Sequence, residues 1–97
     1  MAQVVFSAEA LADLERLAGF LQEQSPAAAA ETIAHVLDAT GVQASHPQIG
    51  RRVEGQLREL VVSRGNSGYL GLYVYDAALD LVRILRVRHQ REAGYRD

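Results

Sequence analysis

Arginine dominates the chemistry available to the second half of this chain. Nine of the ten arginines fall after residue 50: Arg51, Arg52, Arg58, Arg64, Arg83, Arg86, Arg88, Arg91 and Arg96; the chain has no lysine. A guanidinium grips phosphate or carboxylate through paired N–H bonds and stacks on planar rings. Tyr69, Tyr73, Tyr75 and Tyr95 supply aromatic faces in the same half. The plainer alternative is local pairing, with Arg58 and Arg83 neutralised by Glu59, Asp80 or Glu92 and the tyrosines placed in the core. So dense a cluster in 47 residues still warrants a functional hypothesis.

The first half is the electrostatic opposite. Residues 1–50 hold Arg16 against six acids, a formal −5, whereas residues 51–97 hold nine arginines against six acids, a formal +3. The basic half points to an anionic or acidic partner, while the net charge of −2 argues against a general RNA-binding surface. No cysteine is present, which excludes disulfides, thiol nucleophiles and Cys-ligated metals and fits a reducing cytoplasm. His35, His46 and His89 are too far apart in sequence for a metal motif, so neither metal nor cofactor is expected. Gly65-Asn66-Ser67-Gly68 resembles a nucleophile elbow only until Tyr69 replaces its last glycine; a hairpin turn explains it. The longest uncharged run, Ala39–Gly50, is 12 residues and contains Pro47, well short of the ~20 apolar residues of a membrane span. No signal peptide is apparent, and the expected organisation is one domain over residues 1–97.

Six elements must position the arginines. Val4-Val5-Phe6 reads as a short strand. Ser7 is a good N-cap for a helix from Ala8 to Gln24, with Leu11, Leu14, Leu17, Ala18 and Leu21 facing inward and Asp13, Glu15, Arg16, Gln22 and Glu23 outward. Ser25-Pro26 starts a second helix, with Ile33, Val36, Leu37 and Thr40 inward, ending at Gly41 or running to about Ser45. Residues 46–56 read as a loop. Strands are predicted at Leu57–Ser63, Tyr69–Tyr75 and Leu79–Val87, joined by turns at 64–68 and 76–78. The expected fold is α+β in the order β-α-α-β-β-β: an N-terminal strand, an antiparallel helical hairpin covering one face of the sheet, and a three-stranded antiparallel meander. Strict alternation on the last strand puts Val82, Ile84, Arg86 and Arg88 on one face and Arg83, Leu85, Val87 and His89 on the other.

This order of elements resembles the RelE/ParE superfamily of toxins from type II toxin–antitoxin systems. The resemblance runs nearly the whole chain: VVFSAEALADLERLAGFL at the start, Ser25-Pro26-Ala27-Ala28-Ala29 at the second helix, and the P-x-x-G-R loop with Pro47, Gly50 and Arg51. Arg58-Glu59-Leu60 on the next strand, the aliphatic–aromatic YLGLYVY, and the ending Ile84-Leu85-Arg86-Val87-Arg88-His89-Gln90-Arg91-Glu92 with Gly94-Tyr95 continue it. The ending is most similar to ParE-like, plasmid-stabilisation members.

The resemblance implies a growth-arresting toxin neutralised by a cognate antitoxin whose C-terminal segment folds as it binds. It also implies one of two targets. ParE-like members inhibit DNA gyrase without cutting RNA; RelE-like members enter the ribosome and cleave mRNA. Cleavage by 2′-OH attack needs a base, an acid and cations on the phosphate. Arg58 and Arg86 would be the cations, Glu59 or His89 the base, and Tyr95 or His89 the acid. In the favoured ParE-like reading there are no catalytic residues, and Arg51, Arg58, Arg64, Arg86, Arg88, His89, Arg91 and Tyr95 form the target- or antitoxin-binding set. A non-toxic binding module of the same fold is a further alternative. Either a toxin homodimer or a toxin–antitoxin heterotetramer would be consistent with such a family, and the antitoxin would cover either the helical hairpin or the basic sheet face.

Overall fold

The computed structural model describes residues 1–64, 67–90, 92, 94 and 95, with only the backbone of Val62, Ser63, Arg64 and Ser67. In chain order the elements are β1 (Gln3–Phe6), α1 (Ala8–Gln24), α2 (Pro26–Ser45), β2 (Arg51–Glu54), β3 (Leu57–Arg64), β4 (Ser67–Asp76) and β5 (Leu81–His89). They form a five-stranded sheet ordered β1-β5-β4-β3-β2, antiparallel except where β1 joins β5 in parallel. The architecture is the α+β arrangement expected, with β4 at its centre.

Both helix starts follow from side-chain caps. Ser7 Oγ accepts from the Ala10 N–H at 3.0 Å, and Ser25 Oγ accepts from the Ala28 N–H at 3.3 Å. Pro26 occupies the first turn of α2, where its missing N–H costs nothing. Gly41 does not stop α2, which runs on to Ser45. The hairpin packs on itself and, through α1, on β5. The core joins Ala10 and Leu17 of α1 to Tyr69 and Tyr73 of β4 and to Val82, Ile84 and Val87 of β5.

Four sequence expectations need correction. First, the 46–56 segment is not all loop: Arg51–Glu54 pairs with β3 as an extra edge strand. Its four exposed residues carry no apolar alternation, so no strand pattern marks it. Second, the last strand begins at Leu81 and ends at His89, because the turn runs to Asp80, whose φ of 49° sits in the left-handed region. Third, alternation on β5 breaks. Tyr73 pairs with Ile84 but Leu72 with Arg86, so Leu85 is an extra residue that shifts every later side chain across the sheet. Arg86 and Arg88 therefore lie on the face opposite Val82 and Ile84. Fourth, Asp13 is buried, whereas Leu11 and Leu37, expected inside, are exposed. The inner stripes are Ala10, Asp13 and Leu17 on α1 and Ala29, Thr32, Val36 and Gln43 on α2.

Gly50 fixes the approach of β2 to the sheet. Its N–H donates to Tyr73 Oη at 2.8 Å. A Cβ there would lie 2.6 Å from Tyr73 Cε1 and 3.0 Å from the Glu59 carbonyl oxygen, so only glycine fits.

Candidate functional site

Register builds a cluster on the face away from the helices. Arg51 pairs with Glu59, Glu59 with Leu72, and Leu72 with Arg86; one step along, Val61, Leu70 and Arg88 form the next row. Partners across strands share a face. Arg51, Glu59, Arg86 and Arg88 are thus neighbours on one surface. Tyr95, beyond β5, packs onto it. Tyr95 donates its hydroxyl to Glu59 Oε2 at 2.7 Å, and the guanidinium carbons of Arg86 and Arg88 lie 5.8 and 5.2 Å from its ring centroid. These are cation–π distances. Arg51 Nη2 donates to the other oxygen of Glu59 at 2.7 Å.

The electrostatics of the cluster are largely self-satisfied. Burial pushes the Glu59 carboxyl up, but hydrogen bonds from Tyr95 and Arg51 and the charges of Arg51 and Arg88 outweigh it and hold the group below its ordinary range. Burial, the hydrogen bond to Glu59 and that group's charge hold the Tyr95 phenol above its ordinary range, against the opposing effect of Arg88. Glu59 is therefore ionised and Tyr95 protonated over the physiological range.

A second carboxylate anchors the cluster from α1. Asp13 accepts from Arg86 Nε at 2.8 Å, from Arg86 Nη2 at 3.1 Å and from the Val87 N–H at 2.9 Å. β1 pairs with β5 only from Leu81 to Ile84. Beyond that, Ser7 bonds the Ile84 and Leu85 carbonyls and Asp13 takes the Val87 N–H, so α1 completes the edge that β1 leaves open. Arg16 reaches Glu92 at 3.2 Å, while the Glu92 backbone accepts from Arg88 at 2.8 Å and its side chain accepts the His89 N–H at 2.9 Å. These bonds tie the returning tail to β5 and α1. Arg88 Nε is buried without a hydrogen-bond partner among the described residues.

The remaining sequence candidates go elsewhere. Arg58 pairs with Tyr73 across β3–β4 and so lies on the helix-covered face, donating to the Gln48 and Gly50 carbonyls at 3.1 and 2.9 Å. His89 packs edge-on against Tyr69 with ring centroids 5.2 Å apart, and the Tyr69 hydroxyl in turn faces Thr32 of α2. The Arg64 side chain and Arg91 lie outside the described residues. Of the pairings considered from sequence, Glu59 takes Arg51, Glu92 takes Arg16, and Asp80 takes the Tyr75 hydroxyl; Arg83 is exposed. Sequence reasoning missed Asp13 as a site residue. The signal was its position three residues after Ala10 and four before Leu17, on the buried stripe itself.

Comparison with known proteins identifies the family and agrees with the fold. The family described as "ParE toxin of type II toxin-antitoxin system, parDE" matches residues 4–94. Toxin RelE3 of Caulobacter vibrioides is 38% identical over 93 residues, covering 95% of this chain and 98% of the relative. Toxin RelE2 of the same organism is 38% identical over 91 residues, covering 92% and 96%. Among solved structures, the RelBE2 toxin–antitoxin complex of Mycobacterium tuberculosis matches with a TM-score of 0.60 and 27% identity, over 92% of this chain and 98% of that one. The intact E. coli RelBE complex matches in fold with a TM-score of 0.61 at 17% identity, over 90% and 94%.

Proposed function

The chain belongs to the ParE toxin family of type II toxin–antitoxin systems, and on that premise we propose that it arrests growth in the cytoplasm by binding a protein target, DNA gyrase first among the candidates. The observation that carries this reading is the internal neutralisation of Arg51 and Arg86 on the open face. Arg51 and Arg86 are each held by a carboxylate of the same chain, at 2.7 and 2.8 Å. Glu59 is held ionised and Tyr95 protonated, so neither is tuned near neutral pH, where general acid–base catalysis is most effective. A net charge of −2 adds no general attraction to nucleic acid. Induced expression should stop growth and filament cells, and the purified toxin should block supercoiling by purified gyrase. Normal supercoiling at toxin excess overturns the reading.

A second reading has one specific observation in its favour. Glu59 and Tyr95 form a direct carboxylate–phenol pair at 2.7 Å with Arg86 and Arg88 against the phenol ring. This is the inventory of an mRNA endoribonuclease, and relatives carry the RelE name. Primer extension on poisoned cells decides. New mRNA 5′ ends that vanish in Glu59→Gln and Tyr95→Phe favour cleavage; intact message favours the protein target. Absence of any growth effect would instead favour a non-toxic module.

The cognate antitoxin is proposed to cover the apolar groove between α2 and β3, a cavity of about 340 Å³ whose wall includes Ala39, Val42, Ile49, Leu60 and Val61. Val42, Ile49 and Val61 stand exposed there, apolar surface of the kind that a segment folding on binding can bury. Ile49→Asp should weaken antitoxin capture at least tenfold while leaving growth arrest intact; unchanged capture removes the groove from the interface.

A further inference from the structure

The β2–β3 hairpin holds a second arginine pair, under different conditions from the first. Arg52 and Arg58 are direct partners across the two strands. Like charges placed so are destabilising unless something neutralises them. Arg51, Arg86 and Arg16 each have a carboxylate, but among the described residues Arg52 and Arg58 have none. Arg52 Nη2 donates to the Gly55 carbonyl at 2.9 Å, and Arg58 Nη1 donates to the Gln48 and Gly50 carbonyls. Carbonyl dipoles orient the two guanidinium groups and leave their charge uncancelled.

Beside them is a cavity of about 170 Å³ lined by Gln48, Arg52, Gln56, Arg58 and Tyr75. Among the described residues no aliphatic side chain lines it. The Tyr75 hydroxyl is committed to Asp80 Oδ1 at 2.7 Å, so the residue offers the cavity its ring. The local backbone is shaped to match: the β2–β3 register shifts between Arg52 and Glu54, and Gly55 turns the hairpin at a φ of +55°. Such irregularities re-aim side chains next to sites.

We propose that this cavity is an oxyanion site that takes the phosphate group of a nucleotide, with the base or sugar resting on Tyr75. Two guanidinium forks and two amides line one small space. A tetrahedral phosphate presents oxygens to all of them, whereas a planar carboxylate faces one fork at a time. The aromatic wall suits a base, which stacks without regard to sequence. Asp76 and Asp80 beside the Tyr75 hydroxyl limit the positive field, so the site suits one phosphate and not a long polyanionic track. The phosphate can belong to a free nucleotide or to the end of a nucleic-acid strand. The proposal does not depend on the identity of the toxin's protein target.

The test titrates the full chain with adenosine 5′-monophosphate and, separately, with a 5′-phosphorylated DNA decamer, following the Arg52 and Arg58 side-chain N–H and the Gly55 amide by NMR. Both probes should shift these resonances. Arg52→Gln should weaken both about tenfold, the worth of a charge-assisted bond, and should reduce the salt slope for the strand by about 0.7. Arg83→Gln, an exposed arginine elsewhere on the sheet, should change neither. A decamer tighter than the mononucleotide assigns the site to strand ends, and equal affinity assigns it to free nucleotides. No shift with either probe overturns the proposal, as does an Arg52→Gln chain that binds like the parent. A glutamate decapeptide that moves the same resonances at lower concentration than adenosine monophosphate also overturns it, in favour of an acidic protein segment.

Discussion

Two arginine pairs, Arg51 with Arg86 and Arg52 with Arg58, sit on opposite faces of one sheet and meet opposite electrostatic fates. On the open face, Arg86 is held by buried Asp13 and Arg51 by buried Glu59. At the β2–β3 hairpin, Arg52 and Arg58 lean, among the described residues, on backbone carbonyls only. A guanidinium bound to a buried carboxylate is part of the structure, and removing the guanidinium strands the carboxylate. A guanidinium held by dipoles keeps its charge for something else. The same residue type thus serves cohesion in one place and is left available in the other, and counting arginines cannot separate the two.

The contrast can be broken by mutation, and the largest effect should come from Asp13. Asp13→Ala removes the carboxylate that Arg86 and the buried Val87 N–H share and should cost about 3 kcal/mol in urea unfolding. A loss below about 1 kcal/mol would show that the open-face cluster is not cohesive. Gly50→Ala should follow at about 2 kcal/mol, because its methyl meets the Tyr73 ring and hydroxyl. It should also loosen β2, and with it both arginine groups.

Glu59→Gln should cost about 1 kcal/mol at pH 7, since Arg51 is well exposed and keeps water as an alternative. Its clearer effect is on pH dependence. Glu59 binds its proton less readily folded than unfolded, so its contribution is full above the ordinary value of 4.5 and disappears as pH falls through the lower folded value. The parent's urea midpoint should drop across that acid range, and the Gln variant should drop less. Tyr95→Phe removes one hydrogen bond to Glu59 and should cost about 1 kcal/mol or less. Smallest of all, Arg52→Gln should move stability by under about 0.5 kcal/mol. A larger loss would place the hairpin pair with the cohesive group and erase the contrast.

Much of the frame was legible because it is written locally. Ser7 and Ser25-Pro26 announce their helices within a few residues, and the Leu57, Tyr69 and last-strand runs announce the meander. What was not legible depends on distant partners. Asp13 looks like a solvent-facing acid until Val87, 74 residues away, is brought to it. The extra residue at Leu85 leaves the composition of β5 unchanged yet reverses the faces of Arg86 and Arg88, which alternation alone had placed with Val82 and Ile84. β2 has only four residues, all exposed, and exists because Gly50 allows the chain to press against Tyr73. For the candidate site, Glu59, Arg86 and Tyr95 were named from the residues that carry the family resemblance. Their separation from Arg58 and His89 could come only from register.

The parallel pairing of β1 with β5 also carries a consequence in time. Gln3 pairs with Leu81, so the first strand of the chain has its described strand partner in the last one. During synthesis from the N-terminus, β1 and the helical hairpin emerge with no sheet to dock on, and contacts that span most of a chain are slow to close. β1 can take its place at the edge of the sheet only once β5 is available. A nascent chain is therefore an unfinished toxin until residues 81–89 have been made, and its assembly has a built-in delay in which a partner already present can reach it.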